Sequence, residues 1–130
     1  MEIYTDGGYH PKYKKAAYAY ILKTKDTYQE FYGFSEAKNS REAELIAAEL
    51  ALKNAQENEI TLFTDYQGLI DGFETKKNSE EFAGIVEAVG SKNVKMVHMN
   101  GHRDDNNVIE CDKMINGLWK EFRRLEKQKN

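Results

Sequence analysis

The chain has little cysteine, little proline and no long apolar run. Its 130 residues include one cysteine and one proline. A single cysteine cannot form an internal disulfide, which favours a reducing compartment such as the cytoplasm. No apolar run approaches the ~18 residues that a membrane span needs. The first residues are typical of a strand rather than of a charged stretch followed by an apolar run, so neither a membrane anchor nor a secretory signal is predicted.

The sequence also lacks a linker, an internal repeat and a low-complexity tract. A chain of this length is the size of one domain and can bury a core. We therefore predict a single domain over residues 1–130. The basic excess that is usual in nucleic-acid-binding proteins is missing too, since the net charge is -3, and this counts weakly against such a partner.

The hydrophobic pattern predicts the element order βββαβα(α)βα. Strands are predicted over 2–9, 16–24, 27–35, 60–65 and 94–99, and helices over 40–57, 66–75, 79–90 and 108–128. A meander followed by alternating helices and strands predicts an α/β fold. Its five-stranded mixed sheet would have three antiparallel strands and then two parallel ones, flanked by helices.

Capping and turn residues predict where several elements begin and end. Ser40 and Ser79 are predicted N-caps of their helices, and Gly90 is the predicted stop of the second of these. Gly7-Gly8 is expected to ease a bend, so that Asp6 ends the first strand. On the last helix the predicted apolar side consists of Leu118, Trp119, Phe122 and Leu125.

Four carboxylates occupy four short segments, each predicted to be the end of a strand or the start of a helix. They are Asp6, Glu44, Asp65 and Asp112. The carboxyl ends of neighbouring parallel strands meet at one edge of a sheet, which would place Asp6 beside Asp65. Hard divalent cations prefer oxygen ligands, and paired metals suit phosphodiester chemistry. The four segments together therefore predict a shared cation site.

Glu44 is the most informative of these acids. It is in line with Ala47, Ala48, Ala51 and Ala55 on the predicted helix, and a carboxylate on an apolar stripe needs a partner because burying an unpaired charge is costly. The alternative is an acid at the start of a helix that faces the helix dipole. The other three acids also have structural explanations when each is taken alone, as turn or cap residues.

Two further groups of polar residues are candidates for function. His102 lies in a polar segment over 100–107, where a histidine could shuttle protons or simply be exposed. Basic residues recur at helical spacing on the last helix and crowd the first turn, where they could contact phosphates or form a solvated face. They are Lys120, Arg123, Arg124 and Lys127 on the helix, and Lys12, Lys14 and Lys15 in the turn.

The ordered set of motifs resembles type 1 ribonuclease H. The family's motifs correspond here to Thr5-Asp6-Gly7-Gly8, Glu44-Leu45-Ile46-Ala47-Ala48, Asp65-Tyr66-Gln67, and the pairs Gly101-His102 and Cys111-Asp112. The resemblance covers nearly the whole chain and follows the family's order. It implies the ribonuclease H-like fold and a metal-dependent endonuclease that cuts the RNA strand of RNA–DNA hybrids, leaving 5′-phosphate and 3′-hydroxyl ends.

The resemblance also implies roles for individual residues. Asp6, Glu44, Asp65 and Asp112 would hold two Mg²⁺ ions, for which Mn²⁺ can substitute, and His102 would assist proton transfer or product release. Contacts to the substrate would come from Gly7, Gly8, Asn39, Ser40 and Gln67. Bound metal would offset the four acids and leave the rest of the chain about neutral. The enzyme is expected to act as a monomer.

The chain departs from the family pattern in two places. Arg103-Asp104 follows Gly101-His102 where many members have a small residue and Gly, and Asn107 stands one residue earlier than the family's asparagine. Residues 76–93 have no room for the Trp- and Lys-rich protrusion of longer bacterial members, so this is a short form.

Two other functions on the same architecture stay open, namely a non-catalytic nucleic-acid-binding module and a junction resolvase or other nuclease.

Overall fold

A computed structural model of the chain describes residues 1–99 and 106–128. Nine elements occur in these ranges, in the predicted order. They are β1 (Glu2–His10), β2 (Lys15–Lys23), β3 (Tyr28–Glu36), α1 (Ser40–Asn54), β4 (Glu59–Thr64), α2 (Gln67–Thr75), α3 (Ala83–Val89), β5 (Asn93–His98) and α4 (Asn106–Gln128).

The five strands form one mixed sheet in the order β3-β2-β1-β4-β5. β1, β2 and β3 form an antiparallel meander, in which Glu2 is paired with Lys23 and His10 with Lys15. β4 is parallel to β1, and β5 is parallel to β4. The α/β fold and the mixed sheet predicted from the sequence are therefore confirmed.

Both faces of the sheet are buried by helices. On one face, apolar residues of α1 and α3 pack on the strands in a cluster that includes Ile3, Leu22, Leu45, Leu52, Leu62 and Ile85. On the other face, α4 packs in a second cluster that includes Tyr4, Ala19, Ile21, Cys111, Ile115 and Trp119. Since side chains of a strand alternate between faces, the same strand serves both clusters.

α1 begins at Ser40 as predicted and ends at Asn54 rather than at residue 57, but its N-cap differs from the prediction by one residue. Asn39, not Ser40, is the N-cap: its backbone is extended, and its side-chain Oδ1 accepts a hydrogen bond from the Glu42 amide at 2.8 Å. Asparagine is at least as good an N-cap as serine, so residue preference alone does not decide between Asn39 and Ser40. The cap is the residue whose backbone is no longer helical, which here is Asn39. Glu42 and Glu44 keep their places in the first turns of the helix.

The start of α3 also differs from the prediction. The helix begins at Ala83, and Phe82 occupies the N-cap without a side-chain cap bond. Ser79 instead donates its hydroxyl to the Lys76 carbonyl oxygen in a preceding turn. The Phe82 side chain is only 1% exposed, and its burial determines that α3 begins at the next residue. The predicted stop is confirmed, because Gly90 ends α3 with a positive φ of 53°.

β1 and α4 each correct a further prediction. Asp6 does not end β1, because the strand is paired with β2 without a break as far as His10. Leu125 is 45% exposed rather than part of the apolar side of α4. The buried side of α4 contains Ile115 and Trp119, which are four residues apart. At 3.6 residues per turn, Leu125 points about 120° away from Trp119 around the helix axis.

Candidate active site

The candidate site lies where β4 ends and β1 continues. The last paired residues of these two strands are Tyr4 and Phe63, and β4 ends at Thr64. If the same register is extended by two residues, Asp6 stands opposite Asp65. The parallel pairing of β1 and β4 therefore sets these two acids side by side, as the sequence predicted, although only Asp65 follows the end of its strand.

The third acid is brought to the same place by α1. One carboxylate oxygen from each of Asp6, Glu44 and Asp65 lies within 4.8 Å of the other two. Glu44 is partly buried, while Ala47, Ala48 and Ala51 farther along α1 are fully buried against the sheet. Glu44 is thus an acid at the edge of a buried helix face, as its position among the alanines predicted.

A backbone amide of β1 connects the acids. The Gly7 N–H donates to Glu44 Oε1 at 2.5 Å, and it also lies 3.0 Å from Asp6 Oδ1. This amide is available because β1 has no parallel neighbour beyond the end of β4. Because one N–H is shared between two carboxyl oxygens, Gly7 restrains the orientation of both side chains.

Gly7 also determines how closely α1 approaches the sheet. A β-carbon at this position would overlap the carbonyl group of Ala43 and crowd the Glu44 amide. Only glycine leaves room for such a backbone contact. The sequence predicts a bend at Gly7, whereas the structural role of this glycine is to let the helix that carries Glu44 pack directly on β1.

Burial, together with the charge of the neighbouring acids, raises the pKa values of Asp6 and Glu44. Burial is the largest cause for Asp6, followed by the charge of Asp65, and together with Asp112 they raise its pKa to about 7. Burial, followed by the charges of Asp6 and Asp65, raises the pKa of Glu44 to about 10. Without a cation the pair therefore holds at least one proton at neutral pH. A divalent cation would replace that proton and relieve the repulsion.

The fourth acid approaches the site from α4. Asp112 is near enough to Asp6 for its charge to raise the pKa of that residue, but it is not part of the group of three within 4.8 Å. Its Oδ2 accepts a hydrogen bond from Asn116 Nδ2 at 3.1 Å, one helical turn farther along. The structure thus brings three of the predicted ligands together and holds the fourth at the border of the site.

The remaining predicted residues have different positions. Ser40 lines a pocket of about 340 Å³ that contains the three acids. Asn39 is exposed and uses its Oδ1 as the cap of α1, and Gln67 is exposed and donates to Asp71 at 2.9 Å. Gly8 faces α4, where a β-carbon would lie 3.2 Å from Ile115. His102 lies outside the described residues.

Two residues of the pocket were missed by the sequence analysis. Arg41 and Tyr66 line it together with the acids. Arg41 precedes Glu44 by three residues, and residues at this spacing are neighbours on a helix surface, so its position could have been inferred. Tyr66 follows Asp65 directly and is the N-cap of α2, which excludes Asp65 itself as that cap.

The donor set suits a hard divalent cation. Carboxylate oxygens are the preferred protein ligands of Mg²⁺ and Mn²⁺, whereas nitrogen and sulfur ligands would favour zinc or copper. Three such oxygens lie within 4.8 Å of one another here, close enough to share a metal ion. The structure therefore contains a possible acidic metal site formed by Asp6, Glu44 and Asp65.

In a comparison with protein-family models, the RNase H family model matches residues 1–119. The chain belongs to the RNase H family. A comparison with curated proteins found no match. The matched residues include all four acids, and membership supports a nuclease that hydrolyses nucleic acid and normally uses divalent metal ions. Among the residues that the structure describes, none of the helices of this RNase H-family chain has the length and apolarity of a membrane span.

Proposed function

We propose that this RNase H-family protein hydrolyses the RNA strand of RNA–DNA hybrids and leaves 5′-phosphate and 3′-hydroxyl ends. The convergence of Asp6, Glu44 and Asp65 within 4.8 Å is the observation that carries the proposal. A non-catalytic nucleic-acid-binding module would have no use for a concentrated negative site facing phosphates. The family match over residues 1–119 supports the nuclease over that alternative.

The chain's own residues have distinct parts in the proposed reaction. Asp6, Glu44, Asp65 and Asp112 would hold two Mg²⁺ ions. When bound, such a pair of ions supplies activation of the attacking water and stabilisation of the leaving 3′ oxygen. The Gly7 amide would keep Glu44 oriented. Asp6 and Glu44 would release the proton that they share as the cations bind.

Substrate recognition would depend on the wide, shallow minor groove of a hybrid, where 2′-hydroxyls mark the RNA strand. The pocket is open, and Ser40 lines it beside the acids. We assign direct contacts to Ser40 and to the backbone of Gly7. Asn39 and Gln67 flank the site on the first turns of α1 and α2 and would extend the contact surface. His102 is proposed to assist product release or proton transfer.

The deciding experiment compares duplexes and metals. Labelled RNA–DNA hybrid, RNA–RNA and DNA–DNA duplexes, and a branched DNA junction, are incubated with the purified protein in Mg²⁺, Mn²⁺ or EDTA. We expect cleavage of the RNA strand of the hybrid alone, and only with a divalent metal. Cleavage of the junction but not the hybrid would favour a resolvase, and binding without cleavage in any metal would favour a non-catalytic module.

A matched pair of variants tests the assignment of the site. Asp65→Asn removes one charged ligand and should lower the cleavage rate by about 10³-fold or more, because the metal-binding set is incomplete. Asp26→Asn makes the same change in the exposed β2–β3 turn and should leave the rate unchanged. Wild-type activity in Asp65→Asn would refute the assignment.

We propose further that the protein acts as a monomer in the cytoplasm. Cys111, its single cysteine, is buried against the Tyr4 carbonyl, so an intermolecular disulfide would require the packing of α4 to open. Sedimentation of the active protein at micromolar concentration should give a mass near 15.0 kDa. A mass of twice that value would refute the monomer.

A further inference from the structure

We propose that Glu81 holds Arg41 away from Glu44 and thereby keeps the carboxylate site available to cations. The inference rests on the proposed metal-dependent function and assigns a positioning role to Glu81, which is not part of the site. Its basis is that Arg41 can pair with either of two carboxylates, Glu81 or Glu44, and pairs with Glu81.

Arg41 is engaged by Glu81 through two parallel hydrogen bonds. Arg41 Nε donates to Glu81 Oε1 at 2.7 Å, and Arg41 Nη2 donates to Glu81 Oε2. This bidentate pair lowers the pKa of Glu81 and raises that of Arg41. The planar guanidinium matches a carboxylate in this geometry, so the pair fixes the direction of the arginine side chain.

Glu44 is the competing partner. Arg41 and Glu44 are three residues apart on α1, and such residues have Cβ atoms about 5–6 Å apart. Ion pairs at the same spacing form on α4 with the acid as the earlier residue, between Glu110 and Lys113 and between Glu121 and Arg124. Arg41 lines the pocket that contains Glu44. The field of three crowded acids would draw a nearby guanidinium into the site.

The fold anchors Glu81 where it can prevent this. Glu81 directly precedes Phe82, whose ring is buried against Gly72 of α2 and is 1% exposed. Ile85, in the first turn of α3, is buried in the cluster that contains Leu45 of α1. The backbone beside Glu81 is therefore fixed relative to α1. Because Glu81 is at the surface, its ion pair with Arg41 also costs less desolvation than one at the half-buried Glu44.

The consequence for the site is electrostatic. An arginine paired with Glu44 would satisfy a carboxylate that a cation needs, so the cation would have to displace it. With Arg41 held by Glu81, the three acids keep their net negative charge. A pair of surface residues outside the ligand set thus sets the affinity of the site for cations.

The test measures cation binding without substrate. Free Mn²⁺ is titrated against each protein and followed by its electron paramagnetic resonance signal. Glu81→Ala should weaken Mn²⁺ binding about two- to fivefold, because Arg41 then turns to Glu44. The double variant Arg41→Ala/Glu81→Ala should bind at least as tightly as the wild type, since the competing cation is gone. If Glu81 merely stabilised the fold, removing Arg41 as well would not restore Mn²⁺ affinity.

Control variants make each outcome decisive. Glu121→Ala breaks a comparable Arg–Glu pair on α4 and should leave Mn²⁺ affinity unchanged. Glu81→Gln, which keeps the side-chain volume, serves if thermal unfolding shows that Glu81→Ala is misfolded. Unchanged affinity in a folded Glu81 variant, or a double variant as weak as the single one, would overturn this inference alone. A wild-type protein that binds no Mn²⁺ would overturn the proposed function as well.

Discussion

Gly7 of β1 lies directly against Ala43 of α1, so close that a β-carbon on Gly7 would overlap the Ala43 carbonyl group. Contact of backbone with backbone places the next residue of the helix, Glu44, within hydrogen-bond reach of the Gly7 amide. The position of one carboxylate in the site therefore depends on the absence of a side chain at a residue that is itself no ligand.

Substitution of Gly7 should test this dependence. Gly7→Ala forces α1 away from β1, so we expect a loss of about 2–4 kcal/mol in the free energy of unfolding and a loss of hybrid cleavage of at least 100-fold. Urea denaturation and single-turnover cleavage measure the two effects. Gly117→Ala is the matched control, since a β-carbon there meets nothing within 4 Å, and in the interior of α4 it should stabilise by about 0.5–1 kcal/mol. A fully active Gly7→Ala protein would contradict the packing argument.

The raised pKa of Asp6 predicts a stability effect that depends on pH. In metal-free protein, folded Asp6 keeps its proton up to about pH 7, whereas the unfolded chain loses it near the ordinary value of 3.8. The folded state therefore binds more protons between these values, and this acid makes stability fall as pH rises through that window.

Asp6→Asn removes this contribution, because asparagine has no proton to lose. The variant should gain stability relative to the wild type from pH 4 to pH 7, by on the order of 2 kcal/mol for a site open to solvent on one side. Urea unfolding in EDTA at several pH values measures the difference. Asp26→Asn should show no such trend, and a difference between Asp6→Asn and wild type that stays constant with pH would be incompatible with the expectation.

His102→Ala should slow the enzyme without abolishing cleavage. A histidine that assists product release or proton transfer contributes less than a metal ligand, so we expect a fall in kcat of about 10²-fold, within the usual range for general acid–base groups. Burst kinetics separate chemistry from release. The exposed His98 provides the control as His98→Ala, which should be unchanged. If His102→Ala lost as much activity as Asp65→Asn, His102 would have a role in the chemical step larger than assistance to product release or proton transfer.

The turn between β1 and β2 carries backbone strain that a substitution can relieve. Lys14 has a φ of 52°, in the left-handed region that costs a side-chain-bearing residue about 1 kcal/mol. Lys14→Gly should therefore raise the free energy of unfolding by about that amount. Lys12→Gly removes the same charge in the same turn without relieving a positive φ and should not stabilise. Thermal unfolding of the two variants compares them, and equal effects would show that the backbone conformation of Lys14 carries no strain.

The sequence predicts the fold well because its signals are local and periodic. Alternation in the strands and the change of period at Ser40 place every element of the sheet and α1, and the register of β1 with β4 then brings Asp6 to Asp65. The predicted N-caps were wrong at Ser40 and Ser79, and the start of α3 was wrong as well. Asn39 and Ser40 are both good caps, and α3 begins where the burial of Phe82, a tertiary effect, decides it.

The acids of the site were predictable from the sequence, but the contacts that position them and their neighbours were not. Glu44 among alanines indicates a ligand from the helix pattern alone. The close approach of Gly7 to Ala43 and the pairing of Arg41 with Glu81 each join segments that are far apart in sequence. No spacing rule connects such residues, because only the packed sheet and helices bring them together.

The bond from the Gly7 amide to Glu44 makes this one N–H a spectroscopic reporter of the site. An amide proton held by a carboxylate oxygen changes its chemical shift when that oxygen gains a proton or a cation. A glycine amide also resonates in an uncrowded region of a nitrogen–proton correlation spectrum. Protonation of Glu44 and occupation of the metal site could thus be followed at a single backbone position, in solution and without altering any residue.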